Sequence, residues 1–280
     1  PGEKLNPEEN KLRKVLILSL AIMVVAIGSV FAASEVVLYT GETQWITKVL
    51  ADEHADKYTQ LFKDAGITST WFKSKDDGAK IADWIEKTTE DGGIDVMILF
   101  GDLPPSIFDT AKTLSDGTPA EGFIETTDGN AFINHADYMF WGIAGRNSEF
   151  GLQSMMDIDD IVMWDDNTAC TVTAKGKEIS PTLGDLGEIL SDRPFHVDQL
   201  KGDWKVEASL ADGKDGTRAD PIIVRDGDKG RVIPCVQING PTEPLADIGF
   251  EIVSWLLNSN TAVESQDKLS VIWANLKTRK

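Results

Sequence analysis

Between residues 35 and 134, unbroken apolar runs alternate with stretches whose apolar residues recur every three or four positions. Glu35–Thr40, Ile67–Phe72, Ile94–Phe100 and Asn130–Asn134 are runs of the first kind and read as buried strands. Trp45–Ala65 carries Trp45, Val49, Leu50, Ala55, Tyr58, Leu61 and Phe62 at helical spacing, and Gly66 is a natural stop. Asp76–Thr89 places Ile81, Trp84 and Ile85 on one helical face and ends at Gly92-Gly93. A further helix is expected around Pro119–Thr127, and another from Tyr138. Strands that are apolar throughout and alternate with helices predict a mostly parallel sheet covered on both faces, an α/β fold.

The second half is less regular. Ile161–Trp164, Ala169–Ala174 and Trp204–Leu210 read as strands. Pro221–Arg225 and Arg231–Ile238 flank Asp226-Gly227-Asp228-Lys229-Gly230, a hairpin turn. Leu245–Leu257 is an amphipathic helix with Ile248, Ile252, Trp255 and Leu256 on its apolar side. With no repeat and no low-complexity linker, residues 33–258 are expected to form one domain and 259–280 a C-terminal extension.

The N-terminal stretch belongs to a different class of sequence. Lys11, Arg13 and Lys14 precede an apolar run from Val15 to Ile27, and Val30-Phe31-Ala32 offers a small residue for cleavage after Ala32. Residues 1–32 are therefore expected to be a signal peptide; an uncleaved anchor is the alternative, since 15–33 is just long enough to span a bilayer. Either reading predicts export, to a periplasmic, cell-surface or secreted location, with membrane contact only through this segment.

Charge narrows the partners. The 280-residue chain has 46 acidic and 27 basic side chains, a net charge of −19. That excess argues against nucleic acid or anionic lipid as a partner and favours cations, neutral solutes or basic partners. The two cysteines, Cys170 and Cys235, lie inside apolar segments and are expected to be non-catalytic. Export permits a disulfide between them if the fold brings their Cα atoms within about 7 Å.

Ligands of open parallel sheets bind at the carboxyl ends of the strands. Those ends here carry Thr40, Gly41 and Glu42, then Gly101 and Asp102, then Asn134, His135, Asp137 and Tyr138. The imidazole and carboxylates can do acid–base work or hold a divalent cation. The alternative is that the glycines serve turns and the aspartates cap the next segments. His196, in Arg193-Pro194-Phe195-His196, is a further candidate from a loop.

Three segments resemble a known family. Glu121–Asp137 (EGFIETTDGNAFINHAD) is similar to the helix, turn, strand and post-strand His of ThuA-like (trehalose utilization-like) proteins, within the class I glutamine amidotransferase-like superfamily. Asp95–Asp102 (DVMILFGD) resembles their central strand, and Asp228–Ile238 (DKGRVIPCVQI), with the helix ending Ile252-Val253-Ser254-Trp255, their closing strand and helix. The resemblance implies a flavodoxin-like three-layer sandwich with a sharp strand-to-helix elbow. It implies carbohydrate processing or binding, with His135 and Asp137 at the elbow; joined with the strand-end and loop residues, the catalytic candidates are His135, Asp137 and Asp102 and the binding candidates Glu42, Gly101, Asn134, Tyr138, His196, Gln237 and Asn239. The elbow position holds His135 in place of the amidotransferase cysteine, so glutamine hydrolysis is not expected. The family's downstream Gly-His is replaced by Gln237, Asn239 and Gly240. Hence two readings stand: an enzyme acting on a carbohydrate or related solute, or a non-catalytic binding or surface-interaction module. No resident cofactor is assigned. If the site is real, His135 lies in a concave pocket with Glu42, Asp102 or Asp137 within about 6 Å.

Overall fold

The computed structural model describes residues 33–108, 117–141, 148–165 and 167–258, all in the unit that begins at Ala33. The expected N-terminal signal segment and C-terminal extension lie outside the described residues. Among the described residues no helix is long and apolar enough to cross a membrane.

A seven-stranded sheet forms the centre. It contains β1 (Glu35–Tyr39), β2 (Thr68–Phe72), β3 (Val96–Leu99), β4 (Ala131–Asn134), β8 (Trp204–Ser209), β11 (Ile222–Asp226) and β12 (Arg231–Pro234). Their order is β2-β1-β3-β4-β12-β11-β8, parallel from β2 to β12 and antiparallel over the last two pairings. Side chains alternate strictly. Val36, Leu38, Val96, Ile98, Ala131 and Ile133 face one layer with α1 (Lys48–Ala65) and α7 (residues 245–258). Val37, Tyr39, Met97, Leu99 and Phe132 face the other, with α2 (Gly78–Thr88), α3 (Pro119–Glu125) and α4 (Phe150–Met156). The chain is thus a mixed α/β structure with helices on both faces of a mostly parallel sheet.

A second, antiparallel sheet of five short strands was not anticipated. It is ordered β6-β5-β9-β10-β7: β5 (Thr168–Val172), β6 (Glu188–Ser191), β7 (Phe195–His196), β9 (Ala211–Gly213) and β10 (Arg218–Ala219). Helices α5 (Ala174–Ile179) and α6 (Pro181–Leu186) precede β6. The chain leaves the main sheet for the second at Leu210 and returns at Asp220-Pro221, and these two crossings are bonded together: Leu210 N–H to Pro221 C=O at 3.0 Å and Asp220 N–H to Ala211 C=O at 3.1 Å.

Two expected elements are absent. Ile161–Trp164 is no strand; Gln153 Nε2 donates to Ile161 C=O (3.2 Å) and Val162 N–H to Gln199 Oε1 (2.9 Å), so side chains take the groups a ladder would need. No helix starts at Tyr138, because Tyr138 (φ 57°) and Phe140 (φ 59°) are left-handed; among the described residues the next helix, α4, begins at Phe150. The closing strand also ends early, at Pro234, with Val236 at φ 61°.

Candidate functional site

In the parallel run β2-β1-β3-β4-β12, the chain leaves β1 toward one edge and β3 toward the other. The loops after β1 and β3 therefore part above the sheet, where open α/β sheets bind ligands. Gly101 closes the lower part of that gap: at φ 151°, a Cβ there would stand 2.4 Å from Gln44 N, so at their bases the loop after β1 packs directly on the loop after β3.

His135 does not face this crevice. The period-2 pattern that puts Ala131 and Ile133 on the α1/α7 face carries His135 onto it too. The side chain is fully buried between the rings of Tyr58 and Phe100. Its Nδ1 lies 2.9 Å from Cys235 C=O, which can only accept, so Nδ1 bears the proton. Nε2, 2.7 Å from Tyr58 Oη, then accepts from that hydroxyl. Burial, with a small contribution from His54, holds the imidazole down to about 3. Both nitrogens are committed and the ring stays neutral, so neither proton transfer nor metal ligation is open to it. Gly249 of α7 completes the arrangement; a Cβ there would fall 1.5 Å from Tyr58 Oη.

The sharp turn after β4 belongs instead to Ala136 (φ 72°), which carries no nucleophile. Asp137 follows it and is 5 % exposed. Its Oδ1 lies 3.3 Å from Arg193 Nε and has no aligned hydrogen bond. Burial raises this carboxyl to about 6 against the opposing pull of Arg193, with Asp192 adding to the rise. Arg193 also lies over the Trp164 ring, 5.1 Å from its centroid. Trp164 is 5.0 Å from Tyr138 and 5.2 Å from Trp141, which in turn is 5.9 Å from Trp45, all edge-on. Trp45, Trp141 and Arg193 are half-buried and Trp164 is exposed, so the cluster has an open side.

The other predicted residues divide. Asn134, Gly101 and Gln237 do come together: Asn134 Nδ2 donates to Gly101 C=O (2.8 Å), and Gln237 Nε2 to Asn134 C=O (2.7 Å). These buried amides tie the ends of β3, β4 and β12; Gln237 Oε1 remains without a hydrogen-bond partner. Asn239 N–H donates to Asp192 Oδ2 (2.7 Å) beside Arg193. Glu42, 3.7 Å from Lys75, and buried Asp102 flank the buried Tyr39 hydroxyl, which they and Asp77 push up beyond what burial alone does. His196 stands behind the cluster: its Nε2 donates to Trp164 C=O (2.5 Å), 3.3 Å from Asp165. Asp165 is held by Lys214 and Arg218, which keep its carboxyl down to about 2. Cys170 and Cys235 are free and buried, Cys170 pushed up to about 12 and Cys235 well above its usual value. Among the described residues no three His, Cys, Asp or Glu side chains converge as metal ligands do.

Sequence reasoning missed Trp45, Trp141, Trp164 and Arg193. A tryptophan in an irregular segment after a strand was the available signal, since such positions pack less often than helical ones. A groove of about 470 Å³ between α2 and α3, lined by Ile85, Glu86, Glu90 and Pro119, shares no residue with the strand ends.

No protein-family profile matches the chain, and no curated protein matches it. Among solved structures it is similar to one described as a "Putative thua-like protein from Bacteroides uniformis ATCC 8492", with a TM-score of 0.46 and 12% identity over 79% of this chain and 88% of that one.

Proposed function

We propose that the chain is an exported ThuA-like domain of the flavodoxin-like, class I glutamine amidotransferase-like type. It binds a carbohydrate or related neutral solute at the C-terminal ends of its strands and lacks glutamine amidotransferase activity. The strand order β2-β1-β3-β4-β12 supports the flavodoxin-like reading. Ala136 at the turn, with both thiols buried elsewhere, supports the lack of amidotransferase chemistry. The binding reading is carried by one observation: Asp137 and Arg193 stand beside the edge-on cluster of Trp45, Tyr138, Trp141 and Trp164. Indole faces suit the C–H faces of a sugar ring, and a carboxylate with a guanidinium suits its hydroxyls.

A binding module is favoured over an enzyme because the imidazole expected to do chemistry is sealed in the core. The enzyme reading now rests on Asp137, whose raised carboxyl is suited to donating and accepting a proton near pH 6. The test is a tryptophan-fluorescence titration with neutral mono- and disaccharides. Saturable quenching is expected, weakened about 3–10-fold in Trp141→Ala and Trp164→Ala, as the loss of one stacked aromatic implies. No saturable response to any sugar in the wild-type protein would refute the reading.

A further inference from the structure

Asp220 is a fully buried carboxylate where the chain passes from β10 to β11. Each of its oxygens is engaged. Oδ1 accepts from Val236 N–H at 2.7 Å; Oδ2 accepts from Gln237 N–H at 2.6 Å and from Ser191 Oγ at 2.6 Å. The two peptide donors belong to the turn after β12, where Val236 holds a φ of 61° that β-branched residues avoid. A turn so disfavoured persists only where its surroundings fix it; Ile238 N–H closes it on Val236 C=O at 3.0 Å, and Asp220 takes both of its remaining peptide N–H groups.

That turn holds the site. The Gln237 C=O takes the N–H of Asp192 (2.9 Å) and of Arg193 (3.2 Å). Arg193 Nη1 donates to Asp192 C=O at 2.7 Å, which sets the guanidinium against Asp137 and over Trp164. The Gln237 side chain, from the same residue, fixes Asn134 and through it Gly101. We propose that Asp220 is the positioning residue of the strand-end site, holding Arg193 on Asp137 through the Val236-Gln237 turn. The proposal takes Asp137 and Arg193 as the heart of the site, but the bonds themselves need no ligand.

Protonation offers a second handle. Burial pushes Asp220 up to about 7, against the pull of its three hydrogen bonds, and Glu243 adds to the rise. The Cys170 and Cys235 thiols also face it; both stay protonated. A protonated Asp220 can turn its proton toward Ser191 Oγ and still accept from both peptide N–H groups, which an amide in its place cannot do, so the turn holds below about 7 and proton uptake there changes only the charge that Asp137 senses. The groups that face Asp137 are Arg193, Asp192 and Tyr138.

The experiment follows the Asp137 carboxyl carbon by NMR titration in the full chain, with no ligand present. In the wild type a midpoint near 6 is expected, with a second inflection near 7 where Asp220 takes up its proton. Asp220→Asn should abolish that inflection and raise the Asp137 midpoint, as Arg193→Gln does, because the guanidinium is no longer held in place. Ser191→Ala removes one of the three donors and should give a smaller rise of the same sign. A variant that loses thermal stability while Asp137 titrates as in the wild type would overturn the proposal, leaving Asp220 a merely structural clamp. If Asp220→Asn does not fold, Ser191→Ala decides alone, and an unmoved midpoint there refutes the idea. Sugar binding is measured separately, so failure of the functional reading leaves this result standing or falling by itself.

Discussion

Replacing Gly249 by alanine should destabilise this protein, although the same change in a helix interior usually adds about 1 kcal/mol. Gly249 sits in α7, directly over the Tyr58–His135 pair. The new methyl would stand 1.5 Å from Tyr58 Oη, 2.7 Å from Cζ and 3.2 Å from His135 Nε2. Tyr58 is fully buried on α1 and stacked on Phe62, so it cannot swing clear. Either α7 lifts, opening the packing of Leu245, Ile248 and Ile252, or the tyrosine moves and leaves Nε2 without its donor. Overpacking of this kind costs about 1–3 kcal/mol, and an unpaired buried acceptor about 1–3 kcal/mol more. Set against the helical gain, the net loss is about 1–5 kcal/mol, or roughly 2–20 °C in Tm for a domain of this size. Urea denaturation of Gly249→Ala, Tyr58→Phe and the double variant measures it. Tyr58→Phe alone should cost about 1–3 kcal/mol by orphaning the imidazole, and the double variant should cost at least 1 kcal/mol less than the two singles together. A Gly249→Ala protein as stable as the wild type, or costs that simply add, would show that His135 is not sealed under α7.

Three further outcomes follow from the titrating groups and the chain's start. The Asp137 carboxyl is raised in the fold, so its ionisation costs stability as pH climbs from about 4 through 6. Asp137→Asn should therefore be more stable than the wild type at pH 7.5 by on the order of 1–2 kcal/mol. That difference should vanish near pH 4.5 in paired urea melts; a constant difference across pH would count against the shift. Cys170 and Cys235 should ignore a thiol reagent in the native protein and both react in urea, since burial holds their thiols protonated; a native protein that consumes reagent would contradict this. Mass spectrometry of the exported protein should find Ala33 as its first residue, and recovery of residues 1–32 would instead support the anchor.

Five parallel strands and the helices α1, α2, α3 and α7 were legible in the sequence because their signals are local. A run such as Ile94–Phe100 is apolar on both faces only when both faces are covered. Thr47 and Gly66, which cap α1, lie next to the periodic stretch they close. The second sheet was not legible beyond β5 and part of its surroundings. Strands of two to four residues, such as β7 and β10, carry no periodicity, and their identity comes from partners far along the chain. The site shows the same division. Sequence placed His135, Asp137 and Asp102 at strand ends and expected His135 in a pocket there; the structure carries it, with Ala131 and Ile133, onto the α1/α7 face. Whether that face ends in solvent or under a helix depends on Gly249, more than a hundred residues away. Likewise Asp137 became a partner of Arg193 only because Asp220 and Gln237 join the two sheets above it. Hydrophobic periodicity decides which segments are strands and helices, since it acts between near neighbours. Which side chains meet at the strand ends was decided by loop packing and buried hydrogen bonds between residues far apart in sequence.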